Sequence, residues 1–268
     1  MTIIHATGCS GTIGRHLADR VSPYSINLAE IDNELGEFSL EEASNFLHLA
    51  GIVGPSEVAK DVDFSHLVNV EGTRKLGQDF LKRSSGIFHY VSTSHVYEAT
   101  TERISENHYL APSNVYAQQK LDAEIALQEV FIGEPERLCI VRVFSVLDWD
   151  MPPFTLGGAI RKLAQGDGAF ILRNASDIRD FLTPSTIANA LIEIAKSGRL
   201  NGIVNLCSGY GISVADAALR MLAESQIQIN QDRFAFENSS NPVVLGDNSK
   251  LVESHPGLNL IWNPSTMN

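Results

Sequence analysis

Apolar and polar positions alternate between two rhythms along the first 150 residues. Thr2–Ala6 is a short apolar run ending at a glycine cluster and predicts a strand. Ile13, Leu17, Ala18 and Val21 follow at helical spacing. Ser25–Glu30 alternates, with Ile26 and Leu28 on one face, and predicts a second strand. Phe46–Ala50 is a further strand, and Phe64–Leu81, carrying Leu67, Val68, Val70 and Leu76, a helix. Ile87–Ser92 predicts a strand, Ser113–Val130 a long helix, and Leu138–Phe144 a strand rich in β-branched residues. Strands alternating with helices predict an α/β fold, a doubly wound parallel sheet with helices on both faces.

The rhythm loosens after Asp148, where Met151-Pro152-Pro153 breaks it. Ile160–Ala164 and Ile187–Ala195 read as helices, Ile203–Leu206 as a short strand. Ser213–Ala223 reads as a helix capped by Ser213 or by the glycine turn before it. Asn238–Asn268 is rich in Pro, Gly and Asn and reads as mostly irregular. With no internal repeat or low-complexity linker, the division expected is an α/β core over 1–150. A mixed segment over 151–268 contributes to that core and forms a small substrate-binding appendage on the sheet's carboxyl edge.

Composition narrows the classes. A chain of 268 residues, 44% hydrophobic and 19% charged, fits one soluble globular domain with at most a small appendage. No run approaches the ~20 apolar residues of a membrane span, and the N-terminus lacks the features of a signal peptide. Cys9, Cys139 and Cys207 are far apart with no CxxC pair, as expected of reduced thiols in a cytoplasmic protein. No metal site is predicted. The net charge of -12 argues against a nucleic-acid partner. It still permits a phosphorylated small molecule held by backbone N–H groups and one or two arginines.

Thr7-Gly8-Cys9-Ser10-Gly11-Thr12-Ile13-Gly14 lies between a predicted strand and a predicted helix. The physics is a tight turn at Gly8, close backbone approach to a pyrophosphate at Gly11, and helix–strand packing at Gly14, with Ser10, Thr12 and Ile13 completing the turn. An acid near the end of the second strand would hold the adenosine ribose. Glu30 and Asp32 are candidates, counting from Gly14 favours Asp32, and a solvated acidic turn is the alternative. An acid there would favour NAD over NADP by repelling a 2′-phosphate.

Tyr116 and Lys120, in Tyr-Ala-Gln-Gln-Lys, share one face of the long helix. A nearby cation can lower a phenol from ~10 by ~1–3 units, enough to exchange a proton with a sugar hydroxyl near neutral pH. Ser92-Thr93-Ser94-His95-Val96-Tyr97 follows an apolar strand, and ligands bind at the carboxyl ends of such strands.

Together these segments resemble the extended short-chain dehydrogenase/reductases, the NAD-dependent epimerase/dehydratase family acting on nucleotide sugars, which implies a Rossmann-type fold. Aligned on Val96-Tyr97, the resemblance places the catalytic hydroxyl at Thr93, with Ser92 and Ser94 as alternatives. It implies that Thr93 bonds the substrate oxygen, Tyr116 moves the proton, and Lys120 holds the nicotinamide ribose and tunes Tyr116. His48-Leu49-Ala50-Gly51 resembles the cofactor-lining segment, through Leu49, Ala50 and Gly51. Asn69-Val70-Glu71-Gly72-Thr73 resembles a helix whose Asn steadies the central sheet. Arg142-Val143-Phe144, Ile178–Leu182 and Asn205–Ser213 match in register, so the resemblance spans nearly the whole chain.

The departures matter as much. Only fifteen residues separate Asp32 from His48, which leaves Gly36-Glu37-Phe38 to stand in for a strand and helix at the adenine. Ser94-His95 replaces the Asp-Glu pair of sugar 4,6-dehydratases, which argues against elimination. His95 reads as a hydrogen-bonded pocket residue or a second acid/base, and Ser145 replaces a substrate-contacting Asn. Arg179 reads as a diphosphate or sugar contact, or as an ion-pair partner of Asp177 or Asp180. No second phosphate-binding Arg stands near Asn238–Val243. The expectation is NAD(P)-dependent reduction of a nucleotide sugar at C4, using NAD or NADP as cofactor. A C4 epimerase and a non-catalytic NAD(P)-binding sensor or scaffold are the alternatives. A homodimer packed through Phe64–Leu81 and Ser113–Val130 is also expected.

Overall fold

The computed structural model describes residues 4–17, 20–23, 28, 44–165, 170–225, 234–237 and 243–263. The first half contains β1 (Ile4–Thr7), β2 (Ser22–Pro23), β3 (Asn45–His48), α1 (Pro55–Val58), α2 (Val62–His66), α3 (Thr73–Arg83), β4 (Phe88–Thr93), β5 (Arg103–Ile104), α4 (Val115–Val130), β6 (Leu138–Val143) and β7 (Ser145–Val146). The second half contains α5 (Leu156–Gln165), β8 (Phe170–Arg173), β9 (Ile178–Arg179), β10 (Phe181–Leu182), α6 (Pro184–Ser197), β11 (Gly202–Leu206), β12 (Ile212–Ser213), α7 (Val214–Glu224), β13 (Phe234–Glu237), β14 (Val243–Gly246) and α8 (Ser249–Ser254).

A strand buried at every position must be covered on both faces, and β4 and β6 are buried throughout. They lie in the middle of a six-stranded parallel sheet ordered β11-β6-β4-β3-β1-β2. On one face α3 and α4 close an aromatic core of Phe46, Phe80, Phe88, Tyr90 and Phe131. Phe46 and Phe88 stack there at 5.5 Å between centroids. On the other face α6 packs Ile187, Leu191 and Ile194 against Ile4, Leu47 and Val141. The caps follow the local sequence. Thr183 accepts the Thr186 N–H ahead of Pro184 to open α6, which closes at Gly198 with φ +60°. Asn114 caps α4 through the Ala117 N–H. Of the two caps expected for α7, Ser213 takes the role, accepting the Asp216 N–H.

The structure corrects two expectations and leaves a third mostly outside the described residues. Instead of a helix over Ile13–Val21, the described residues form 3-10 structure at Gly14–His16 and again at Arg20, closed by i−3 hydrogen bonds. The strand beside β1 is Ser22–Pro23, upstream of the expected Ser25–Glu30, of which only the buried Leu28 is described. Pro23 is tolerated because β2 is an edge strand. Asn238–Asn268, expected to be irregular, contains β14 and α8. Val243–Gly246 orders because it pairs with both β9 and β5, in a small sheet ordered β12-β9-β14-β5.

A π-helical stretch, Leu67–Gly72, joins α2 to α3 in one continuous run. Asn69 sits in it, accepting the Ile52 N–H and donating to the Ile52 carbonyl and to Gln119. Asn69 thus ties down the loop after β3 rather than the sheet itself.

Candidate active site

Two cavities open at the carboxyl ends of the parallel strands. The first, about 500 Å³, is within the range of ligand clefts. Its floor is the turn after β1. Gly8 has φ +73°, and a Cβ there would lie 2.6 Å from the Ala50 nitrogen. A Cβ on Gly14 would lie 1.9 Å from the Gly8 oxygen. At Gly11 a Cβ would meet only the Gly8 oxygen, at 3.2 Å. The two outer glycines hold the turn against its neighbours, and the middle one leaves room above it. This backbone cradle fits the pyrophosphate of a dinucleotide, with Ser10, Thr12 and Ile13 lining the same wall. Among the described residues, 3-10 structure stands behind this turn where the sequence predicts a helix.

Leu49, Ala50 and Gly51 form the facing wall. His48 does not line it. Its ring bridges Thr7 at 2.7 Å and Thr73 at 3.0 Å, and burial pushes its pKa down to about 3. Val53 and Phe154 stand exposed at the cleft wall. The sequence carries no periodic or chemical signal for either. Glu30, Asp32 and Gly36-Glu37-Phe38 lie outside the described residues.

Thr93, at the end of β4, and Tyr116 and Lys120, on α4, line the deep end of this cleft. The Tyr116 hydroxyl shares a hydrogen bond with the Thr93 side chain. Burial still pushes the phenol up to about 12 despite that bond, so the lowering expected from a neighbouring lysine does not occur. Lys120 is itself buried, donating to the Val91 carbonyl at 2.7 Å and lying 4.2 Å from the centre of the Tyr90 ring. Burial pulls its pKa down to about 7 against the pull of Glu124. The site therefore holds a protonated phenol beside an amine whose charge is balanced near neutrality.

The second cavity, about 340 Å³, brings together Ser94, His95, Ser145 and Arg179. The Ser94 hydroxyl is buried without a hydrogen-bond partner. The His95 ring is exposed to the cavity, edge-on to Tyr116 at 6.4 Å. Its pKa is lowered by the surrounding protein and by the Arg179 cation. Arg179 pairs with Asp177 at 2.8 Å, as one reading of it expected, and it also lines the cavity. Asp180 is not its partner. That carboxylate is fully buried and accepts from the Ser208 N–H and hydroxyl and from the Gly209 and Gly246 N–H groups. It knots β10 to the turn after β11 and to β14. Glu98 and Ser113, which the sequence did not single out, also line this cavity. Among the described residues no cluster of His, Cys, Asp and Glu could hold a metal, and no helix is long and apolar enough to cross a membrane.

Residues 4–207 match the profile of the family described as NAD dependent epimerase/dehydratase family. A curated relative, the GDP-6-deoxy-D-talose 4-dehydrogenase of Aggregatibacter actinomycetemcomitans, is 25% identical over 197 residues, 70% of this chain. The match covers 65% of that relative's own length. Among solved structures, RMD from Pseudomonas aeruginosa complexed with NADPH superposes with a TM-score of 0.86, covering 99% of this chain and 95% of that one at 23% identity. The UDP-Glc/GlcNAc 4-epimerase from Campylobacter jejuni superposes with a TM-score of 0.82, covering 99% and 96% at 18% identity. At these identities the two superpositions establish the fold.

Proposed function

The chain belongs to the NAD dependent epimerase/dehydratase family, and on that footing we propose that it reduces the 4-keto group of a nucleotide-activated sugar. The observation that carries this reading is the state of Tyr116. Its protonated phenol, bonded to Thr93, stands where the glycine-floored cleft meets the hydroxyl-lined cavity. Held protonated at neutral pH, the phenol carries the proton that a carbonyl oxygen needs as it is reduced.

In this reading the cleft takes NAD or NADP, and the second cavity takes the sugar. When bound in reduced form, the nicotinamide supplies a hydride. Thr93 polarises the C4 carbonyl through its hydroxyl. Tyr116 gives its hydroxyl proton to the oxygen as the carbonyl becomes an alcohol, and Lys120, one helical turn on, stabilises the tyrosinate left behind. A negative charge arising on Tyr116 favours the ammonium form of a lysine that sits near 7. Ser94, with its unpaired hydroxyl, and Ser145 offer hydrogen bonds to sugar hydroxyls, and Arg179 offers a cation to a diphosphate. The curated relative is named for oxidation at C4 of a GDP-linked 6-deoxy sugar, the reverse of the reaction proposed. The protein acts as a homodimer in this reading, since Phe64, Leu67, Val115 and Ile125 leave apolar side chains exposed on the helices expected to pair.

The test is the absorbance of NADH and NADPH as the protein meets nucleotide-linked 4-keto-6-deoxy sugars. The expected result is consumption equal to the sugar added, lost in Tyr116→Phe. Interconversion of 4-hydroxy sugars without net consumption would make the protein an epimerase. Dinucleotide binding without turnover on any sugar would make it a non-catalytic binder.

A further inference from the structure

Tyr116, Lys120 and Glu124 follow one another at successive turns of α4, and all three are buried. The Glu124 carboxylate accepts from the Ser92 hydroxyl and from Arg142, whose Nη2 lies 2.6 Å away. The Arg142 guanidinium lies 4.7 Å from the centre of the Tyr97 ring, and the Tyr97 hydroxyl donates to Asn205 at 2.7 Å. Ser92 lines the dinucleotide cleft and Tyr97 the sugar-side cavity. One carboxylate thus joins the two walls behind the proton-transfer groups. An ion pair this deep adds little stability over apolar packing of the same volume, so stability alone does not account for it.

We propose that Glu124 is a positioning residue for proton transfer: it keeps Lys120 charged beside Tyr116 and, with Ser92 and Arg142, fixes the strand ends that carry both cavities. The inference rests on the reading of Tyr116 and Lys120 as the proton-transfer pair. The titratable groups around Lys120 are His48 on β3, Tyr90 on β4, and Tyr116 and Glu124 on α4, with Arg142 beyond Glu124 on β6. His48 is held neutral by burial and both phenols sit above their ordinary range. Glu124 is the carboxylate of this set and the group that opposes burial at Lys120, so its loss leaves that burial unopposed.

The test reads Lys120 directly. The protein carrying 13C-ε lysine is titrated by NMR, with Lys120→Met assigning the resonance. In Glu124→Gln the Lys120 midpoint is expected to fall by about one pH unit. The alkaline limb of kcat should move the same way, with KM for the sugar within about twofold. The paired variant Glu124→Gln/Arg142→Met removes both buried charges and gives the same readout if the single variant does not fold. An unchanged midpoint in either folded variant overturns the proposal, as does a fall in kcat that is uniform across pH. The NMR midpoint needs no turnover. A midpoint that moves in a protein inactive on every sugar would therefore overturn the proton-transfer reading and leave the electrostatic link standing.

Discussion

The two cavities that meet at Tyr116 are made from opposite materials. The dinucleotide cleft is backbone: its floor exists because Gly8, Gly11 and Gly14 lack side chains, and a Cβ at either outer position would collide with main chain. The sugar-side cavity is side chain: Ser94, His95, Ser145 and Arg179 project from strand ends and two-residue strands. The Asp180 knot braces those short strands. The floor of the cleft is therefore set by main-chain contact at Gly8 and Gly14. The cavity can be changed one contact at a time.

The largest expected effect falls on the boundary itself. Tyr116→Phe should lower kcat by about 10²–10⁴-fold, while the dinucleotide affinity, read by fluorescence titration, changes little. Equal losses in both would mean that Tyr116 belongs to the cleft alone. Next comes the cleft floor. Gly14→Ala should destabilise the fold by about 3 kcal/mol in urea unfolding and abolish measurable dinucleotide binding, because its Cβ has only backbone to push against. A stable variant that still binds would show the turn to be softer than described.

The sheet beneath both regions should respond to acid. Burial lowers His48 to about 3 and His89 to about 4 from an ordinary 6.5. The unfolded chain therefore takes up these protons first as pH falls. Their contribution is whole above about 6.5 and is lost towards pH 3–4, with an upper bound of roughly 3–5 kcal/mol for each. Urea midpoints measured from pH 7.5 to 4.5 should fall, and His89→Leu should flatten the slope. A midpoint independent of pH contradicts the burial. The smallest effect belongs to the cavity. Ser94→Ala should raise KM for the sugar by about 3–10-fold and leave unfolding within about 0.5 kcal/mol, since its hydroxyl has no partner to lose.

The same contrast sets what the sequence can announce. β4 and β6 are readable because a run of six buried residues has few alternatives. Tyr116 and Lys120 are readable because a helix converts a spacing of four into a shared face. β7, β9, β10 and β12 are two residues each, too short for any period, and exist through their partners. Val53 and Phe154 come to the same cleft only through the fold. The raised pKa of Tyr116 is hidden for a related reason: the lysine is visible in the sequence, whereas the burial that pushes the phenol up is not.

The π-helical stretch at Leu67–Gly72 carries its own genetic consequence. A hydrogen bond that reaches five residues back instead of four accommodates one residue more than an α-helix needs. Deleting a single codon there would let the segment relax into an uninterrupted α-helix. The flanking helices would keep nearly the same relative phase, and the change would fall on the residues of the widened turn itself. Asn69 would swing away from the Ile52 peptide that it clasps on both sides. A frame-preserving deletion would then look harmless by circular dichroism while unmooring the wall of the dinucleotide cleft.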